Sequence, residues 1–410
     1  MRIVVVGASA AGISAITALR RLDKKVEIVL VSKDVNIYSR CILHHYVKGV
    51  RTIEKLSFVN PNFINNMDVI WKKGLSVTKV DPKRKRITLS NGEIVGYDRL
   101  LLATGASTFY PPIPGLKEAR NAIGFHDFED CVEIMKYARD GKHMVIMGAG
   151  LIGIDAVSGF LNEGIDISVV EMQDRMLSIQ LDKRAASTYE EEFRKRGVKQ
   201  YYGVGVKEIV CNEDKIIEKV ILSDGTELPC DVLVVAAGVR ANVSYLEGSG
   251  IETDRFGLVI DTRGKTNDDN IYGAGDITGR DQIWSVAVKE GMIAAANMMG
   301  CEREKKDFFG KRSTMNFLGI PTMSLGINEP PDDTYEVLID GEETGEYYRK
   351  VIHKDGVIYG VIMQGDLSYG GVLTQMIRLG EDVSWIKKPL YEIDYSDFFH
   401  LADDLQYIYE

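Results

Sequence analysis

A glycine-rich turn at the end of an apolar strand occurs twice in this 410-residue chain. The first copy is Met1–Ala15, MRIVVVGASAAGISA, and the second begins at His143, HMVIMGAGLIGIDA. Each is a β-branched run, then a turn of small residues, then a helical pattern. A parallel α/β unit built this way presents a helix N-terminus to a phosphate. Its glycines supply the tight turn and the close backbone approach, and the free N–H groups and helix dipole hold the anion. Two copies about 140 residues apart predict two dinucleotide sites in one polypeptide. The alternative is a pair of ordinary turns of which one is vacant.

The second copy has the full spacing, with Gly148, Gly150 and Gly153. Its following strand, Ile165–Val170, ends in Glu171. A carboxylate there accepts from a ribose 2′-OH and repels a 2′-phosphate, so NAD is expected over NADP. Arg175, four residues on, is the feature that argues the other way. The first copy runs Gly7, Ala8, Ser9, Ala10, Ala11, Gly12, with Ser9 in place of the middle glycine. The strand Val26–Val31 leads to Ser32 where an acid is usual. A serine hydroxyl still reaches a ribose, but it bonds less strongly than a carboxylate.

Two further segments support an occupied first site. Tyr97–Gly105, YDRLLLATG, and Asn270–Asp276, NIYGAGD, are apolar strands ending in small-residue turns. Small residues let the backbone approach a flat cofactor, and Asp276 is placed to hydrogen-bond a polyol chain. In this order around the two fingerprints, the segments resemble the FAD- and NAD-binding pyridine nucleotide-disulfide oxidoreductases. The resemblance covers about Met1 to Gly300. It implies that the first fingerprint, Ala103, Thr104, Gly105 and Asp276 bind FAD, and that the second fingerprint binds NADH. It also implies cofactor contacts from Ser32, Lys33, Arg40, Val77, Ile152, Gly238 and Trp284.

The bulk properties fit this reading. The length suits two to three domains. A net charge of −10 argues against a nucleic-acid role. The apolar runs are strand-length and soon interrupted, so no membrane span is expected. The first strand begins at Arg2, so no secretory signal is expected. Cys41, Cys131, Cys211, Cys230 and Cys301 are odd in number and scattered, which suits a reducing cytoplasm and gives no disulfide framework or zinc spacing.

The expected fold class is α/β, with two Rossmann-like three-layer domains and a small C-terminal α/β domain. Residues 1–110 and 245–312 form a discontinuous FAD domain, and 111–244 the NAD domain. PPIPG at Pro111–Gly115 is the crossover, and Asp231–Ala236 a late NAD-domain strand. The charged stretch Cys301–Arg312 reads as a linker. Residues 313–410 follow as the smaller domain, with strands at Glu346–His353 and Gly356–Met363 around a Lys354–Asp355–Gly356 hairpin turn.

Relatives with a dithiol carry CxxC or CxxxxC, and neither spacing occurs here. Ile37–Gly49, IYSRCILHHYVKG, occupies the place where coenzyme A-disulfide reductases, NADH peroxidases and NADH oxidases hold a single redox cysteine, and Cys41 aligns with it. Those proteins follow the cysteine with glycine and soon a proline; here Ile42 and His44 stand there. Tyr38-Ser39-Arg40 is instead similar to the YxR of NADH:rubredoxin reductases and assimilatory nitrite reductase flavin domains, which carry no redox sulfur there. Trp284–Gly291, WSVAVKEG, resembles the WxxAxxQG of that branch with Glu290 for Gln, and implies a helix N-terminus at the flavin N1/C2 edge. Phe317–Gly326 and Gly365-Asp366 resemble the same branch. Cys41 is thus either a redox thiol or a spectator beside the flavin.

Related reductases often pair a Lys with a Glu near flavin N5. His45 and Asp155 stand at those positions, so they are expected either to pair and shape the nicotinamide pocket or, for His45, to be an inert helix residue. His126, His143, His353 and His400 read as structural or surface residues. The expected activity is NADH oxidation through FAD. The leading acceptor is a protein: rubredoxin, ferredoxin or an iron–sulfur subunit of a larger complex. A small-molecule reductase acting on a disulfide, persulfide or peroxide through Cys41 is the alternative, and an assembly subunit with a structural cofactor the third reading. A homodimer or hetero-oligomer is compatible with each. In the acidic, aromatic tail Tyr391–Glu410, Phe398, Leu401, Leu405 and Ile408 fit one helical face, packed on its own domain or docking a partner.

Overall fold

The computed structural model describes residues 1–138, 143–161, 163–306, 312–341 and 347–409. The chain forms two compact units. The first comprises Met1–Gly148, Asp155–Ile165 and Val206–Gly310; the second comprises Ala149–Ile154, Asp166–Gly205 and Lys311–Glu410. Among the described residues no helix is long and apolar enough to cross a membrane.

In the first unit the strand Arg2–Val6 lies at the centre of a five-stranded parallel sheet. Its neighbours are Glu27–Ser32, then Val69–Lys73, on one side and Arg99–Leu102, then Ile271–Gly273, on the other. The RIVVV run is apolar at successive positions because both faces are covered. Ile3 and Val5 pack with Ile13, Ile16, Leu19, Ala294 and Ala295 of two helices. Val4 and Val6 face Val80, Ile87 and Leu89 of an antiparallel three-stranded sheet. The two helices, Ala10–Leu22 and Trp284–Met298, cross closely, since a Cβ at Gly291 would lie 2.1 Å from Ala11 O. A second parallel set in this unit joins His143–Met147, Val232–Val235 and Ala122–Gly124. An antiparallel sheet of Val206–Cys211, Ile217–Leu222 and Glu227–Pro229 lies between them in sequence.

In the second unit, Asp166–Glu171 pairs in parallel with Lys199–Tyr202, joined by the helix Lys183–Lys195. The C-terminal part is a five-stranded antiparallel sheet with the helix Gly370–Leu379. The expected hairpin is present: strands Tyr348–Lys354 and Val357–Gln364 flank Asp355 and Gly356, with φ of 49° and 78°. Two positive φ values give the turn whose twist matches the strands. Glu346 and residues 307–311 of the stretch read as a linker lie outside the described residues.

This sheet is held to the helix Lys183–Lys195 by buried polar contacts. Asp182 caps that helix by accepting from Ala185 N–H, and also accepts from Tyr348 Oη at 2.7 Å and Lys350 Nζ at 3.0 Å. Tyr189 Oη donates to Ile320 O at 2.7 Å, and Gln364 Nε2 to Ala185 O at 3.2 Å.

The tail departs from the helical expectation. A capping box on Asp394 starts a single 3-10 turn, Tyr395–Phe398. The chain then forms an antiparallel pair, Phe399–Leu401 with Tyr407–Tyr409. Asp404 accepts from Gln406 N–H in the connecting turn, where Leu405 has φ 64°. Aromatic and β-branched residues flanking an Asp-rich turn favour strands over a helix. Phe398 is buried, its ring 5.7 Å from that of Trp385, whereas Leu401, Leu405 and Ile408 are exposed.

Candidate active site

The first fingerprint forms a cradle of backbone atoms. Gly7 leaves its strand at φ 117°, and a Cβ there would lie 2.0 Å from Ala103 O. At Gly12 it would lie 1.9 Å from Gly7 O. Ser9 is the N-cap of the helix Ala10–Leu22 but makes no capping bond, and no acid stands in the first turn. The first N–H groups are therefore available to an anion. Ala10 and Ala11 are buried, and Ala11 meets Gly275 as well as Gly291. The Ala103–Gly105 turn is clamped by Asn242, whose Nδ2 donates to Thr104 O and whose N–H donates to Gly105 O. Asn242 carries no local signal and was not among the expected site residues.

Asp276 opens a 3-10 turn after Gly275 at φ 79°. Its half-buried carboxylate accepts no hydrogen bond from the described residues. Burial, and then the neighbouring Glu290 carboxylate, push its pKa up to about 6 against the pull of Arg40. An acceptor left without a donor beside a phosphate-binding turn fits a hydroxylated ligand, so the residues present fit FAD. Val77 is buried, opening the strand Val77–Asp81, and Trp284 starts the helix Trp284–Met298, its ring edge-on to Phe58 at 4.7 Å.

The end of the strand Glu27–Ser32 is differently employed. Ser32 is buried; its hydroxyl donates to Asp34 O at 2.7 Å and accepts from Trp71 Nε1 at 2.9 Å. Its only proton is thereby spent within the fold and is not free for a ribose. Lys33 pairs with Asp127 at 2.7 Å. Arg40 pairs with Asp34 at 2.9 Å and lies over the Tyr38 ring.

At the second fingerprint Gly148 has φ 109°, and a Cβ there would lie 2.4 Å from Ala236 O. Gly150 is exposed with open space where a Cβ would stand, and so is Gly238 at φ 100°. Ile152 is half-buried and Gly153 buried in the helix Leu151–Phe160. Glu171 accepts from Ala149 N–H and Gln173 N–H, both at 2.8 Å. Arg175 is turned inward: it donates to Leu181 O at 3.1 Å and pairs with Asp174 at 2.7 Å.

Cys41 lies in a short 3-10 turn, Arg40–Ile42. It is solvent-exposed, although the surrounding protein still desolvates its sulfur. That desolvation pushes the thiol pKa up, and the Asp155 and Asp276 carboxylates push it further. Asp155 does not pair with His45. Its Oδ1 lies 3.1 Å from His44 Nδ1 instead. The His45 ring stacks at a tilt on that of His44, 4.4 Å away. Burial, followed by His44, Arg51 and Lys48, pushes the His45 pKa down.

A five-stranded parallel sheet with a phosphate-binding turn, an unpartnered acid and a second such turn define a flavoprotein that also takes a nicotinamide nucleotide. Residues 1–291 match the pyridine nucleotide-disulphide oxidoreductase family, and residues 312–381 match the rubredoxin NAD+ reductase C-terminal domain. The chain belongs to this family of NAD(P)H-dependent flavoprotein oxidoreductases. It is 30% identical over 395 residues to the epsilon subunit of NADH-dependent phenylglyoxylate dehydrogenase of Aromatoleum evansii, covering 93% of this chain and 92% of that one. It is 25% identical to the assimilatory nitrate reductase electron transfer subunit of Bacillus subtilis, over 95% of this chain but only 51% of the relative, so it spans about half of that protein. Among solved structures, an NAD-dependent persulfide reductase from A. fulgidus superposes with a TM-score of 0.84 at 25% identity, covering 93% of this chain and 77% of that one.

Proposed function

We propose that the protein oxidises NADH through FAD and delivers the electrons to a protein acceptor, a rubredoxin, a ferredoxin or an iron–sulfur subunit of a larger complex. Bound FAD supplies the two-electron to one-electron conversion that such an acceptor requires. The chain's own part is to bind and orient. Gly7, Ser9, Ala10, Ala11 and Gly12 receive the flavin-nucleotide phosphates, Asp276 accepts from its hydroxyls, and Ala103–Gly105 lie close to it. Gly148, Gly150 and Gly153 receive the second dinucleotide. NAD is favoured over NADP because Glu171 ends the strand after the second fingerprint, where a carboxylate would repel a 2′-phosphate, and because Arg175 is engaged elsewhere.

The observation that carries the choice of acceptor is the setting of Cys41. All five cysteines are free. The thiol beside the candidate flavin site has its pKa pushed up, first by burial and then by the Asp155 and Asp276 carboxylates, whereas the thiolate is the reactive form. That favours a protein acceptor over a cysteine-based small-molecule reduction. The relative that is a dehydrogenase subunit supports the same reading.

The test is an anaerobic NADH titration of the purified protein, followed in the flavin band. One equivalent of NADH per flavin, with Cys41→Ser unchanged, is the expected result. A second equivalent that Cys41→Ser abolishes would move the small-molecule reading to first place.

A further inference from the structure

Glu290 stands where the related WxxAxxQG segment has a glutamine, and its surroundings show what the extra charge requires. Its side chain is 8% exposed. Oε2 accepts from Gly275 N–H at 2.8 Å, directly before Asp276. Oε1 accepts from Lys305 Nζ at 2.9 Å. The same ammonium donates to Asp281 Oδ2 at 2.8 Å, and Lys305 N–H donates to Thr262 O at 2.8 Å. Asn297 straps the intervening chain by donating to Arg263 O and Arg303 O. Lys305 is therefore anchored at both ends, although it lies in the charged stretch that reads as a linker.

We infer that Lys305 is a positioning residue for the flavin site: through Glu290 it fixes Gly275 and balances the negative charge beside Asp276. The inference rests on the first fingerprint and Asp276 binding FAD. Glu290, Asp281 and Asp276 bring three carboxylates into a region that must also accept a pyrophosphate. The charged groups that act on Asp276 are Glu290 and Arg40, and Asp276 in turn acts on Cys41. Removing the Lys305 ammonium leaves Glu290 buried and uncompensated, which a buried carboxylate tolerates poorly. A glutamine at 290 would keep the acceptor for Gly275 N–H without the charge, so it would not need the lysine.

The full-length holoprotein provides the test. Lys305→Met is expected to weaken FAD retention at least about tenfold, read as flavin fluorescence released on dilution. It is also expected to move the flavin midpoint potential to more negative values, because a nearby cation is lost. The double variant Glu290→Gln/Lys305→Met is expected to regain most of both. Wild-type retention and potential in Lys305→Met, or a double variant as loose as the single one, would overturn the inference. If Lys305→Met yields no soluble protein, Glu290→Gln alone decides: retained FAD with a more positive potential supports the inference, and an unchanged potential overturns it. A wild-type protein that takes up no FAD would overturn the cofactor assignment itself.

Discussion

His44 Nδ1 lies 3.1 Å from Asp155 Oδ1, bringing the segment after Cys41 against the helix that follows the second fingerprint. The approach is close: a Cβ at Gly159, on the same helix, would lie 3.4 Å from His44 Cα. Burial pushes the Asp155 pKa up, and His44 opposes that shift. His45, one residue on, has its own ring against His44 instead. The pair thus places an ionisable couple beside Cys41, where the Asp155 charge is felt.

If this contact shapes the nicotinamide pocket, Asp155→Ala and His44→Ala slow flavin reduction by NADH about tenfold while FAD stays bound. His45→Ala leaves the rate near wild type. Stopped-flow measurement of all three decides, and an unchanged rate in Asp155→Ala would sink the role.

Gly291→Ala destabilises the fold. The added methyl would sit 2.1 Å from a backbone oxygen, Ala11 O, which cannot rotate away. Overpacking of this kind costs about 1–3 kcal/mol or more. The helix Ala10–Leu22 would have to shift, so thermal unfolding and FAD retention should suffer together. Gly150→Ala, with open space at its Cβ, should leave the unfolding free energy within about 0.5 kcal/mol of wild type while weakening NADH binding.

Asp276 makes the stability of the apoprotein pH-dependent. Its folded pKa, about 6, lies above the ordinary 3.8. A raised acid binds protons more tightly in the folded state, so stability falls as pH rises from about 4 to 6. Above that window the cost is complete, on the order of 3 kcal/mol. Asp276→Asn should therefore stabilise the apoprotein at pH 7 and have little effect at pH 4, while weakening FAD. Denaturant titrations at the two pH values check this; equal effects at both would refute it.

Glu171→Ser is expected to narrow the preference for NADH over NADPH by about tenfold or more, because the repelling carboxylate is gone. Arg175 will not supply a phosphate contact unless it first gives up Leu181 O and Asp174. The ratio of kcat/KM for the two nucleotides measures this, and an unmoved ratio would show that the carboxylate does not discriminate.

Both fingerprints, the Asp276 turn, the helix at Trp284 and the 355–356 hairpin were legible in the sequence. In each, the chemistry is local: a glycine where the turn needs a positive φ, a β-branched run before it, a helical pattern after it. The tertiary structure decided what depends on residues distant in sequence. It set His44 rather than His45 against Asp155, because the rotation of a five-residue helix, Leu43–Val47, chooses between neighbours. It spent the Ser32 proton on Asp34 and turned Arg175 inward. It made the tail a hairpin, where the spacing of four apolar residues also fitted a helix. It gave Glu290 its counter-charge fifteen positions later, in a stretch whose composition reads as solvated linker. Spacing encodes the conformation of a segment, while the partner of a buried charge is set by how segments pack.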